Sequence, residues 1–133
     1  GNGATALLAA TLARYYGRPE WEEIAREVVA LAQENLGRAA LGLGSTLQTV
    51  ELLLASHREI AIVGPPDARA PFERELANRF LPTVAIAPAP RAGGLPLLED
   101  RDVAEGAAAF VCHNFLCELP ATTVEQFVDQ LSR

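Results

Sequence analysis

The chain has 133 residues, half of them hydrophobic. That is enough for one domain or two small subdomains with a core, and it is not the composition of a disordered chain. The formal net charge is −6 and the eleven basic residues are all scattered arginines, which argues against nucleic acid and against an anionic membrane as partner and removes Schiff-base and P-loop lysine chemistry.

The chain opens Gly1-Asn2-Gly3 and contains no methionine, which suggests a processed product, a proteolytic remnant or an expressed fragment. No signal-peptide pattern follows, and no apolar run approaches the ~20 residues of a membrane span. Ala4, Leu7, Leu8, Leu12 and Tyr15 recur at helical spacing and predict a helix over 4–16, capped by Asn2 or Thr5 and closed by Gly17. Pro19 opens a second helix over 19–36, with a stripe of Trp21, Ile24, Val28, Leu31 or Ala32, and Leu36. The pair forms an αα-hairpin. Leu41–Gly44 reads as a loop. Ser45-Thr46-Leu47-Gln48 reads as a capping box opening a third helix over 45–56, with Ser45 as the cap.

After His57 the period changes. Ile60–Val63, ended by Gly64-Pro65-Pro66, predicts a buried strand over 59–63. Phe72, Leu76 and Phe80 predict a helix over 70–80, entered through Asp67 or through Ala70-Pro71. Thr83–Ala87 predicts a second strand, parallel to the first in a βαβ unit. Pro88–Gly94 is a loop, and Leu95–Gly106 shows no pattern. A third strand is expected over 107–112. A terminal helix over 122–131, capped by Thr122 or Thr123, carries Val124, Phe127, Val128 and Leu131.

The order of several motifs resembles the C-terminal portion of the thioredoxin-domain proteins of the YyaL and spermatogenesis-associated type. They are Gly1-Asn2, Val63-Gly64, Arg79-Phe80-Leu81-Pro82, the Cys112/Cys117 pair and Pro120. Phe110 stands where that family leads one to expect a tyrosine. The resemblance implies an N-terminal thioredoxin-like domain followed by an α/α toroid similar to sugar epimerases and six-hairpin glycosidases. Neither that domain nor most of the toroid is contained in these residues.

Cys112-His113-Asn114-Phe115-Leu116-Cys117 is the chemically richest stretch. It reads as a redox pair, as part of a metal site with His113, or plainly as two small buried hydrophobes. A metal site wants about four ligands, and the only other histidine is His57. The expectation is therefore reduced thiols, no metal and no cofactor, in a cytoplasmic protein. Gly64 and Asp67 follow a strand and precede a helix, at the sheet edge where α/β folds bind ligands. A parallel third strand would bring His113 and Asn114 to that same edge. Two prolines there remove amide donors, so the loop reads mainly as a turn. Glu51 and His57 are the toroid-like candidates, and nothing pairs them.

The expected fold is α+β. A three-helix segment over 1–57, resembling the end of a toroid, packs beside a small three-stranded α/β subdomain over 58–133 that contains the parallel βαβ. The expected function is a C-terminal structural or interaction segment of a larger protein, without a complete active site. The alternatives are part of a sugar isomerase or epimerase, and a thiol-redox module using Cys112 and Cys117. The first helix is apolar nearly all round, so a homo-oligomer, with Leu8 and Leu12 at the contact, or the remainder of the parent protein is expected to cover it.

Overall fold

The computed structural model describes every residue except Ala39 and Phe115, and leaves out the side chains of Leu36, Ala40 and Leu41. The end of the second helix's stripe at Leu36, the residue Leu41 of the expected loop, and Phe115 of the cysteine stretch lie outside the described residues. The chain divides into two units, Gly1–Ala55 and Ser56–Arg133.

The first unit holds α1 (Asn2–Tyr16), α2 (Pro19–Leu36) and α3 (Gly44–Leu54). Pro19 takes the first position of α2, where its missing N–H costs nothing. Gly17 ends α1 in the left-handed conformation. Each helix packs on the other two. The packed face of α1 is centred on its alanines, with Leu7 at its edge, and not on the full leucine stripe. Ala6, Ala10 and Ala13 are buried, while Leu8 is 58% exposed. Small residues let helix axes approach closely, and Gly3 extends the row: a Cβ there would meet Thr46 Oγ1 at 2.6 Å. On α2, Ala25 is buried while Ile24 and Leu31 are exposed.

Arg14, the one charge on α1, is buried and donates to the carbonyls of Leu52 and Ala55. It satisfies acceptors that the end of α3 would otherwise leave open. Neither Asn2 nor Thr5 caps α1; its N-cap is Gly1. Ser45 is not a cap either, because a 3₁₀ turn over Ala40–Leu43 runs straight into α3 and starts the helix at Gly44.

The second unit is a four-stranded sheet with two helices. The strands are β1 (Arg58–Val63), β2 (Val84–Ala89), β3 (Ala108–His113) and β4 (Leu116–Cys117), in the order β2-β1-β3-β4. Helix α4 (Pro66–Ala77) connects β1 to the parallel β2, and α5 (Val124–Leu131) ends the chain. The fold is α+β, as expected, with a fourth strand added. β3 runs antiparallel to β1, pairing Arg58 with His113 and Val63 with Ala108.

Alternation assigns the two sheet faces. Ile60, Ile62, Ala109 and Val111 share one core with Phe72 and Leu76 of α4 and with Phe127 and Leu131 of α5. Phe72 and Phe127 meet with ring centroids 5.7 Å apart. Burying each large side chain in this core contributes about 1.5–3 kcal/mol. The other face carries Glu59, Ala61, Phe110 and Cys112, and the buried Leu97 and Leu98 belong to a 3₁₀ turn that contacts β1 and β2.

Local chemistry explains the element ends. α4 begins at Pro66, one residue before Asp67 and more than a turn before Pro71, because Pro66 at the first helical position presets helical φ; Pro71 lies inside the helix. The helix stops at Ala77, so Phe80 does not complete its stripe and is 89% exposed. β2 extends through Pro88, which an edge strand admits. Thr123 caps α5, and Gln126 completes the capping box. Arg58 on β1 donates to the carbonyls of Gln130 and Leu131, tying the last turn of α5 to the sheet.

Candidate functional site

The antiparallel β3 separates residues that a parallel strand would have gathered. Gly64 and Asp67 sit at the end of β1 that leads into α4. His113 and Asn114 sit at the opposite end, beside Arg58. The four do not form one ligand edge. Near Gly64 there is a cleft of ≈ 270 Å³ whose lining includes Pro90, Arg91, Asp102 and Glu105. The backbone of Gly64 is already engaged. Its N–H donates to Ala89 O at 3.1 Å, and its carbonyl accepts from Arg69 Nη1 at 2.9 Å. The Pro65 and Pro66 nitrogens carry no hydrogen, so the loop offers no cradle of amides to an anion.

The opposite end carries the chemistry. β3 and β4 form a tight hairpin in which Cys112 lies directly across from Cys117, with Cα atoms 3.9 Å apart. Asn114 takes a left-handed φ of 48° in the turn, a conformation asparagine tolerates better than most residues. Its N–H donates to His57 O at 2.8 Å, which ties the turn to the start of β1. Cysteines directly opposite on antiparallel strands present their Cβ atoms to the same side at bonding distance. The two sulfurs are joined in a disulfide, which corrects the expectation of two reduced thiols. Among the described residues no cysteine is free.

The two halves of the disulfide differ in exposure. Cys112 is 1% exposed, in the middle of the sheet face, while Cys117 lies on the exposed β4. Arg101 bridges them. Its Nη2 stands 3.3 Å from Cys112 Sγ and 3.4 Å from Cys117 Sγ. The guanidinium is held from elsewhere as well. Its Nε donates to Leu97 O, and its Cζ lies over the Phe110 ring, 5.1 Å from the centroid. Burial pushes the Arg101 guanidinium below the usual arginine range, and the charge of Glu59 pulls it part of the way back.

Glu59 is itself buried, opposite Cys112 in the register, and its Oε1 lies 2.7 Å from His57 Nε2. A row of ionisable side chains thus runs His57, Glu59, Arg101 toward the disulfide. His57 belongs to this row, whereas Glu51, the other candidate of the toroid-like reading, is exposed on α3. His113 is half-buried and its Nε2 finds no hydrogen-bond partner among the described residues.

Sequence reasoning named the cysteines and missed Glu59 and Arg101. Glu59 had a signal, since a carboxylate in the buried register of an otherwise apolar strand needs a cation. Arg101 had none, because it lies in the unpatterned stretch between β2 and β3. Among the described residues, no three histidine, cysteine, aspartate or glutamate side chains gather so as to hold a metal ion. No helix of the described residues is long and apolar enough to cross a membrane. No family model, curated protein or solved structure matches this chain.

Proposed function

We propose that this chain is the C-terminal segment of a larger protein resembling the YyaL-like thioredoxin-domain family, and that its chemically active group is the Cys112–Cys117 disulfide, working as a reversible thiol pair. The observation that carries the redox part is the Arg101 guanidinium within 3.4 Å of both sulfurs. A disulfide that only staples the hairpin gains little from a half-buried cation held against both sulfurs. A thiolate does, because a nearby positive charge lowers a thiol's pKa.

The helical unit plays a structural or interaction role in this reading. Leu8, Ile24, Leu31, Leu47 and Leu54 are exposed on its three helices, and the rest of the parent protein or a second copy of the chain covers them. Nucleic acid and membrane are not partners of so acidic a surface. The compartment is the cytoplasm, where disulfides that form are mostly transient and catalytic or sensing. The test is alkylation of the native protein before and after treatment with dithiothreitol. No thiol before and two after, with the fold intact, supports the reading. A disulfide that resists dithiothreitol until the protein unfolds contradicts it.

A further inference from the structure

We infer that the pair is polar in its chemistry: Cys117 is the sulfur that exchanges with a partner thiol, and Cys112 is the buried leaving and resolving thiol, stabilised by Arg101. This deepens the redox reading above and rests on it.

The difference in exposure sets the direction, and Arg101 supplies the charge. Cys112 is sealed in the sheet while Cys117 lies on an exposed two-residue strand. Nucleophilic attack on a disulfide runs along the S–S axis, so the attacking sulfur must reach the outer atom of the pair. The charge then lands on Cys112 Sγ, 3.3 Å from Arg101 Nη2; the guanidinium stands as near to Cys117, so exposure sets the order of attack and Arg101 receives the charge. Arg101 is anchored by Leu97 O and the Phe110 ring, neither of which changes when the S–S bond opens. The surroundings of the attacked sulfur also suit a polypeptide, since Leu116 and Leu119 flank Cys117 in the chain at 78% and 85% exposure.

The steps balance with a dithiol polypeptide as reductant. A partner thiolate bonds to Cys117 Sγ. The Sγ–Sγ bond breaks and its electron pair leaves on Cys112 Sγ, as a thiolate beside Arg101. The partner's second thiolate then attacks its own sulfur in the mixed disulfide. Cys117 leaves as a thiolate and the partner departs oxidised by two electrons. In reverse, the Cys117 thiolate attacks a partner disulfide and Cys112 resolves the intermediate.

The test uses the oxidised wild-type chain with reduced glutathione as the probe thiol, quenched in acid and mapped by peptide mass spectrometry. Glutathione on Cys117 is expected. Glutathione on Cys112, on both equally, or on neither overturns the inference, and the redox reading survives those results provided dithiothreitol still reduces the native pair. A second arm compares C112S and C117S with oxidised glutathione, after circular dichroism has shown both to be folded. The C112S chain should react at least about tenfold faster, and equal rates overturn the inference. A third arm follows the rate of dithiothreitol reduction against pH in R101Q and R101K. A merely structural arginine would leave the pH profile of the folded chain unchanged. Loss of about tenfold in R101Q with partial recovery in R101K is expected if the cation receives the leaving thiolate.

Discussion

At the scale of single residues, a few positions hold the second unit in shape and can be tested one at a time. Gly64 has φ 143°, and a Cβ there would come within 2.4 Å of Gly106 O and 2.7 Å of Ala107 Cα. Both are backbone atoms and cannot swing away. Gly64→Ala is therefore expected to destabilise the chain by about 2–3 kcal/mol, read as a lowered urea midpoint. Glu59→Ala removes a hydrogen-bond partner of His57 and the carboxylate whose charge partly offsets the burial of the half-buried Arg101. A loss of about 1–2 kcal/mol is expected, because a buried hydrogen bond to His57 is lost. An unchanged midpoint would show that water takes the place of the carboxylate. Gly64 was visible in the sequence as a glycine closing a strand. The need for Arg101 was not, since no local pattern marks residue 101.

At the scale of elements, visibility tracked side-chain type and length. Ile60-Ala61-Ile62-Val63 announced β1 because β-branched runs suit a buried strand, and Phe127 with Leu131 announced the core face of α5. β4 was invisible, since two residues carry no period. Its existence depends on the turn at Asn114 and on the pairing of Cys112 with Cys117. α1 misled in the opposite way. Leucines dominate any hydrophobic stripe, yet the helix packs through Ala6, Ala10 and Ala13, and close axial approach decides the face. The direction of β3 follows from pairing beyond its own residues, so the sheet edge expected to unite Gly64 with His113 was not readable. One element is expected to depend on its cap. Thr123→Ala should cost about 1 kcal/mol, because it removes the hydroxyl that accepts from the Gln126 N–H at the start of α5, while the backbone N–H of residue 123 still reaches Gln126 Oε1. Phe127→Ala should cost about 3–5 kcal/mol by emptying the centre of the core, a difference large enough to rank the two by thermal melting.

At the scale of the whole molecule, two properties need partners. The helical unit displays Leu8, Leu31 and Leu54 to solvent, and apolar surface of this kind is usually covered in the working state. Light scattering across a dilution series is expected to give a mass above the monomer, with Leu8→Glu shifting it downward. A monomer at every concentration would leave the parent protein as the partner that covers this surface. The redox role proposed for the disulfide requires a thiol partner, and it is the central claim. The most direct measurement is the equilibrium of the Cys112–Cys117 pair against a series of dithiothreitol ratios, read by alkylation and mass while circular dichroism follows the fold. A single two-electron transition completed with the spectrum unchanged is the predicted result. Thiols that appear only together with loss of the spectrum would show that the disulfide is a staple, and would contradict the redox account.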